Sequence, residues 1–253
     1  MGSRVHPTAV VDPRAELADD VEVGPYAVVG AGAQIGAGSS VSSHAVVLGP
    51  ATLGAGNVVH SFAVIGGAPQ HKRAFSPSES RLVVGDRNTF REHVTVHRGT
   101  EGRPTRIGSD NLFMVGAHVA HDASVGSFCT FANAVQLAGH ATVEDHATFG
   151  GLSGVAQFVT VGQSAFVAAG AMCERRVPPF VIVQGDRARV RALNVVGLRR
   201  RGVPEASIAK LHAAFRTLFG GGAPRVAGLR EVPRDDPFVT ALLDALAGAT
   251  PPA

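Results

Sequence analysis

Tryptophan is missing from this chain, tyrosine occurs once, and aromatic residues together make up only 6% of it. A broad core built from large rings is therefore excluded, and what is buried must be mostly small and aliphatic. Cysteine is scarce too. Cys129 and Cys173 are too few for a disulfide framework, and Cys173 falls in an otherwise aliphatic slot, which marks it as a buried thiol. No apolar run reaches the ~20 residues of a membrane-spanning helix. Regular patterning starts by Val5 and leaves no room for a signal peptide, so a cytoplasmic protein with no membrane span is expected. Charge of one sign is not in excess: the formal net charge is +3, with arginine far outnumbering lysine. That balance suits an anionic substrate and, with no recognised module beside it, points away from nucleic acid.

What the chain has instead is glycine and a beat of six. An aliphatic residue, or in places Phe, recurs every sixth position from Val5 to Ile65 and again from Ile107 to Cys173, with small residues such as Gly24, Gly30, Gly108 and Gly162 crowding the next place. Six fits neither a helix nor a single long strand; it is the period of a hexapeptide solenoid. If three hexads make one triangular coil, residues 18 apart stack on one face about 4.7–4.9 Å apart. The expected architecture is an all-β solenoid over residues 1–180, with a helical C-terminal domain over 181–253.

Two interruptions break the beat, near 68–81 and near 98–105, with Val84, Phe90 and Val96 keeping the spacing between them. Both read as loops thrown out of the prism, where repeat proteins often place function. Val177-Pro178-Pro179-Phe180 is expected to end the solenoid, because consecutive prolines cannot join a ladder. Pro204 and Glu205 then open a helix stopped by Gly220-Gly221-Gly222, and a second starts near Asp236-Pro237.

Chemistry concentrates where the bland hexad fills with polar groups, at Ala117-His118-Val119-Ala120-His121-Asp122. One coil after His121 stands Gly139, followed by His140, and one coil later Gln157. The 18-residue ruler therefore lines them up as a polar column. A carboxylate beside an imidazole can fix its tautomer and stabilise the imidazolium formed during proton abstraction. His118, His121, His140 and His146 also supply material for a zinc site, as in a zinc-dependent hydratase of this architecture. A purely structural solenoid would call for a flat face of repeated Thr or similar, and these slots hold varied residues.

The non-repeat motifs are more specific. Gln70 after Ala68-Pro69, Arg91-Glu92, Val96-His97-Arg98-Gly99-Thr100, Gly108 to Leu112, Ala117 to Asp122, Leu137 to His140 and Asn194 to Gly202 occur in series. In this series the chain resembles the acyl-carrier-protein-dependent UDP-N-acetylglucosamine O-acyltransferases of lipid A biosynthesis, over nearly its whole length. The resemblance implies a left-handed parallel β-helix. It also implies a homotrimer with sites between adjacent prisms, acyl carrier protein and a UDP-sugar as partners, and no metal or other cofactor. It assigns His121 as general base for the sugar 3-hydroxyl, Asp122 as its orienting group and the Gly139 N–H as oxyanion donor. By the same matching, His118 and His140 are pocket histidines. Gln70, Arg73 and Gln157 contact substrate, and Asn194, Arg200 and Arg201 lie near the nucleotide and its phosphates. Ala169 is the stop for the acyl chain.

The sequence departs from the family at three places. His71 follows the loop glutamine where an acid is usual, Ala156 precedes Gln157 where histidine is common, and Val196 stands where an acid is common. These leave open a changed acceptor, either a 3-amino UDP-sugar or another nucleotide sugar, as well as a catalytically silent homologue. A CoA-dependent acetyltransferase of the same architecture is disfavoured by the first loop and the long helical tail.

Overall fold

Val28–Val29, Val46–Val47 and Val64–Gly67 pair in parallel and in register, and the same pairing recurs along the chain. The computed structural model describes residues 2–72, 80–100, 102–220 and 226–248. Their strands form three sheets, of 11, nine and eight strands, one on each face of a left-handed parallel β-helix. The 11-stranded sheet starts at Arg4–Val5, the nine-stranded sheet at Val10–Val11 and the eight-stranded sheet at Glu16–Leu17. Most strands are two residues long because the chain must turn at every hexad. The turning residue sits at positive φ even when it is not glycine, as at Asp122, His140 and Phe158 (φ 60°, 61° and 64°).

The aliphatic beat points inward and is buried along the prism. Where it substitutes phenylalanine, Phe90, Phe113, Phe131 and Phe149 stack face to face, with ring centroids 5.1, 4.6 and 4.8 Å apart. Each such buried side chain contributes roughly 1.5–3 kcal/mol before entropy. Beside this column, inside the edge between the eight- and 11-stranded sheets, runs a buried amide ladder. Asn88 donates Nδ2–H to Asn57 Oδ1 (3.0 Å), Asn111 donates Nδ2–H to Asn88 Oδ1 (2.9 Å), and the Cys129 N–H donates to Asn111 Oδ1 (2.7 Å).

The ladder also measures the interruptions. Its neighbours lie 31 residues apart from Asn57 to Asn88 and 23 from Asn88 to Asn111, against 18 from Asn111 to Cys129. Both insertions leave and rejoin the prism without disturbing the register of Val84 on Leu53 or of Ile107 on Val84.

The diproline does not end the sheet. Val181–Gln184 adds in parallel to Phe166–Val167, and Arg189–Leu193 returns antiparallel as the last strand. Pro179 and Phe180 occupy the turn ahead of Val181–Gln184, so the prolines take corner positions, where no ladder N–H is required. Helices follow: α1 (Val195–Arg200), α2 (Glu205–Phe219), a 3-10 turn (Val226–Arg230) and α3 (Pro237–Ala247). They bury a second core that includes Phe180, Leu198, Leu211, Leu218 and Leu242. Asp236 caps α3 by accepting from the Phe238 and Val239 N–H groups, with Pro237 at the first helical position, and Ser207 of α2 donates to its other oxygen (2.7 Å). Among the described residues no helix is long and apolar enough to cross a membrane.

Candidate active site

His121 and Asp122 turn the edge between the nine-stranded and eight-stranded sheets, after strand His118–Val119 and before Ser124–Val125. His121 is only 6% exposed, and its Nδ1 lies 2.6 Å from Asp122 Oδ2. With Nδ1–H donating to that carboxylate, the neutral ring keeps its lone pair on Nε2. No described residue hydrogen-bonds Nε2.

The Asp122 side chain is fully buried and receives three further interactions. The Thr100 N–H donates to Oδ1 (2.9 Å), the Thr100 hydroxyl lies 3.0 Å from Oδ2, and His140 Nε2 stands 3.6 Å from Oδ2. Burial alone would raise its carboxyl, but the His121 and Thr100 hydrogen bonds outweigh this and hold it below the usual carboxylate range. Asp122 is thus a fixed negative charge beneath the imidazole.

Gly139 stacks on this pair from the next coil. A Cβ there would lie 2.8 Å from His121 Cε1 and 3.0 Å from Nε2, so the imidazole occupies the space a side chain would need. Its N–H bonds to no described residue, whereas the Ala138 and His140 N–H groups on either side are bonded to Val155 and His121 carbonyls. An unfilled donor therefore lies beside the unfilled Nε2.

Other histidines crowd the same edge. The His140 ring meets His121 edge-on at 5.3 Å, and His71 does so at 5.5 Å from the first insertion. On the adjoining sheet His118 Nδ1 lies 2.7 Å from Thr95 Oγ1, and the His97 ring meets it at 5.1 Å. Burial, followed by the nearness of His97 and His121, pushes His118 down to about 4. His97 is lowered for the same chief reason. Both are neutral imidazoles at neutral pH.

In the expected polar column His121, Gly139 and His140 come together. Gln157, one coil on from Gly139 in the same register, is exposed, and the ring stacked on His140 is Phe158, at 4.6 Å. Gln70 is exposed at the start of the first insertion, and its neighbour His71 makes the contact with His121. Arg73 lies outside the described residues. Of the four histidines considered as zinc ligands across a subunit interface, His146 stands apart from the other three within one chain, stacked on Phe128 at a different edge. Among the described residues the group close enough to share an ion is His121, Asp122 and His140. His121 Nδ1 and Asp122 Oδ2 are hydrogen-bonded at 2.6 Å, closer than the ~3.3 Å between two ligand atoms of one tetrahedral zinc.

The remaining expected residues sit elsewhere. Ala169 is exposed at the edge between the 11- and nine-stranded sheets. Asn194, Arg200 and Arg201 line a groove of about 400 Å³ with Phe128, His146 and Phe166, at the edge between the eight- and 11-stranded sheets. Arg201 donates to Ser164 Oγ (2.8 Å), while Arg200 is exposed. The Asn194 carboxamide is already engaged: Oδ1 caps α1 by accepting from the Gly197 N–H, and Nδ2 donates to the Ser164 carbonyl. His121, Ala169 and the arginines thus occupy three different edges of one prism. Sequence reading assigned no role to Thr100, Thr105, His97 or Phe158. Phe158 could have been found, since it stands 18 residues after His140.

Residues 177–250 match the family described as UDP-N-acetylglucosamine O-acyltransferase, domain 2. The chain is 48% identical, over 98% of its length and 97% of the relative's, to the acyl-(acyl-carrier-protein)–UDP-N-acetylglucosamine O-acyltransferase of Stenotrophomonas maltophilia. It is 54% identical over 87% of its length to the enzyme of that name from Alkalilimnicola ehrlichii, covering 86% of that protein. A solved UDP-N-acetylglucosamine O-acyltransferase from Moraxella catarrhalis superposes with a TM-score of 0.91 at 35% identity, covering 98% of each chain. The chain belongs to the acyl-(acyl-carrier-protein)–UDP-N-acetylglucosamine O-acyltransferase family.

Proposed function

We propose that the protein moves a 3-hydroxyacyl chain from acyl carrier protein to the 3-position of UDP-N-acetylglucosamine, as the first step of lipid A biosynthesis, with His121 as general base. The observation that carries this is the His121–Asp122 pair, with Nδ1 engaged, Nε2 open and the Gly139 N–H open beside it. Nε2 takes the proton of the sugar 3-hydroxyl, and the oxygen attacks the thioester carbonyl. The tetrahedral oxyanion receives the Gly139 N–H, a fixed donor worth about 2.7–4 kcal/mol in such a site. Collapse breaks the C–S bond, and the imidazolium returns its proton to the departing thiolate, leaving an ester and free carrier thiol. Asp122 stabilises the imidazolium between these two transfers. These steps use no metal or other cofactor.

Placement on three edges supports a site shared between copies. One substrate cannot reach His121, Ala169 and the Arg200–Arg201 groove on a single prism, but it can where the edges of adjacent prisms meet, which fits a homotrimer. Guanidinium forks in that groove suit the diphosphate, with the stacked Phe128 and His146 rings as a wall. Gln70, Arg73, His118, His140 and Gln157 complete the sugar side, and Ala169 limits the acyl chain. Asn194 contributes by holding α1 in place. A cytoplasmic setting, where carrier and nucleotide sugar are available, goes with this reading.

Mass spectrometry of products tests the proposal, offering UDP-N-acetylglucosamine and its 3-amino analogue with carrier-bound 3-hydroxyacyl chains of several lengths. An ester on the hydroxyl sugar is expected. An amide on the amino sugar alone would change the acceptor, and no product from either would overturn the proposal.

A further inference from the structure

Thr100 begins where the second insertion leaves the prism, and that root is rigidly built. The Gly99 and Thr105 N–H groups both donate to the Arg81 carbonyl (2.9 and 3.1 Å), and Ser80 Oγ donates to the Gly99 carbonyl (2.6 Å). A Cβ on Gly99 would fall 1.8 Å from the Arg103 carbonyl oxygen, so the two arms of the loop cross in contact. From this platform Thr100 reaches back to the dyad. Its N–H donates to Asp122 Oδ1, and its hydroxyl lies within 3.2 Å of both carboxylate oxygens. Thr105, at the other arm, accepts the Asp122 N–H on its hydroxyl (2.9 Å). Of the 18-residue coil and its five-residue extension, it is the extension that holds the acid.

We propose that Thr100 is a positioning residue for the acyl transfer: its hydroxyl and N–H lock the Asp122 carboxylate against His121 Nδ1, making the 98–105 insertion the latch of the dyad. The inference rests on His121 acting as base. Asp122 has more lone pairs than His121 alone can engage, and an unlatched carboxylate could rotate away from Nδ1 and release the tautomer that leaves Nε2 basic. The titratable groups facing the dyad are His140 and His71 against the His121 ring and His97 and His118 from the adjoining sheet, and a Thr100 substitution leaves all four in place.

Thr100→Val is near-isosteric and keeps the backbone N–H bond. It should lower kcat about ten-fold or more with little change in KM, in line with the ~10–100-fold cost of losing an outer partner at orienting sites. Thr100→Ser should restore kcat. Circular dichroism and thermal unfolding of the full chain establish that each variant is folded. A Thr100→Val enzyme with normal kcat overturns the latch. So does one that loses activity without rescue by serine. An active His121→Ala enzyme would instead remove the base assignment, whatever Thr100 does.

Discussion

Two polar systems are set into the same aliphatic prism, on different edges. In the ladder of Asn57, Asn88 and Asn111, every carboxamide is used. Each Oδ1 accepts from the next coil, and each Nδ2 donates to a glycine carbonyl, as Asn88 does to Gly108 and Asn111 to Gly126. At the other edge Asp122 is as fully engaged, yet His121 Nε2 and the Gly139 N–H bond to no described residue. The ladder uses its polarity to hold coils together. The histidine edge keeps an acceptor and a donor unpaired by the protein side by side, as a site must if a substrate is to fill them.

Substituting the open side should produce the largest effect. His121→Ala removes the proposed proton acceptor, and general-base contributions of this kind are worth about 10²–10⁴-fold. We expect kcat/KM to fall by that factor, while the thermal unfolding midpoint falls only by what the lost Nδ1–Asp122 hydrogen bond is worth, about 1–3 kcal/mol, so that the kinetic defect persists well below it. Steady-state kinetics beside a melting curve checks both halves. Activity within a few-fold of wild type would erase the distinction between the two edges.

The opposite dissociation is expected at the ladder. Asn88→Ala orphans the Gly108 carbonyl and the Asn111 backbone N–H, while Asn57 Oδ1 keeps the backbone N–H of residue 88 and Asn111 Nδ2 keeps the Gly126 carbonyl. A loss on the order of 2 kcal/mol follows from about 1 kcal/mol or more per orphaned group. Assayed well below its lowered midpoint, the variant should turn over normally. A large kcat defect with an unchanged melt would mean that the ladder belongs to the site after all.

The same contrast explains what could be read from the chain. The beat of six named the prism, and the 18-residue ruler put Gly139 and His140 over His121 correctly, because no insertion falls between them. Where an insertion does fall, the ruler fails. Thr100 stands 22 residues from Asp122 and Asn88 stands 31 from Asn57, distances that no hexad count predicts. Asn88 and Asn111 look in sequence like ordinary turn residues; only the stacked register turns them into a ladder. The diproline misled because prolines forbid a ladder position but not a corner. The residues placed on three edges read as one list of site groups, since sequence matching carries no information on which copy of the prism supplies each.

The smallest expected effect lies between the two systems, in the neutral histidines beside the dyad. An unfolded histidine takes a proton near its usual 6.5, whereas folded His118 does so only near 4, and His97 is lowered in the same direction. Between these pH values the unfolded chain binds more protons than the folded one, so stability is complete above about pH 6.5 and declines as pH falls toward 4. The Asp122 carboxyl, held below its usual range, adds its own loss only at more acidic pH. Each tenfold weakening of proton affinity is worth about 1.4 kcal/mol. Solvent screening at the partly buried His118 reduces this, so the decline should amount to roughly 1–2 kcal/mol. Melting curves from pH 7 to 4.5 should slope downward for wild type and flatten for His118→Gln, which cannot take up a proton. An equal slope in both would place the acid sensitivity elsewhere, and would leave the buried imidazoles, like the amide ladder, insensitive to protons.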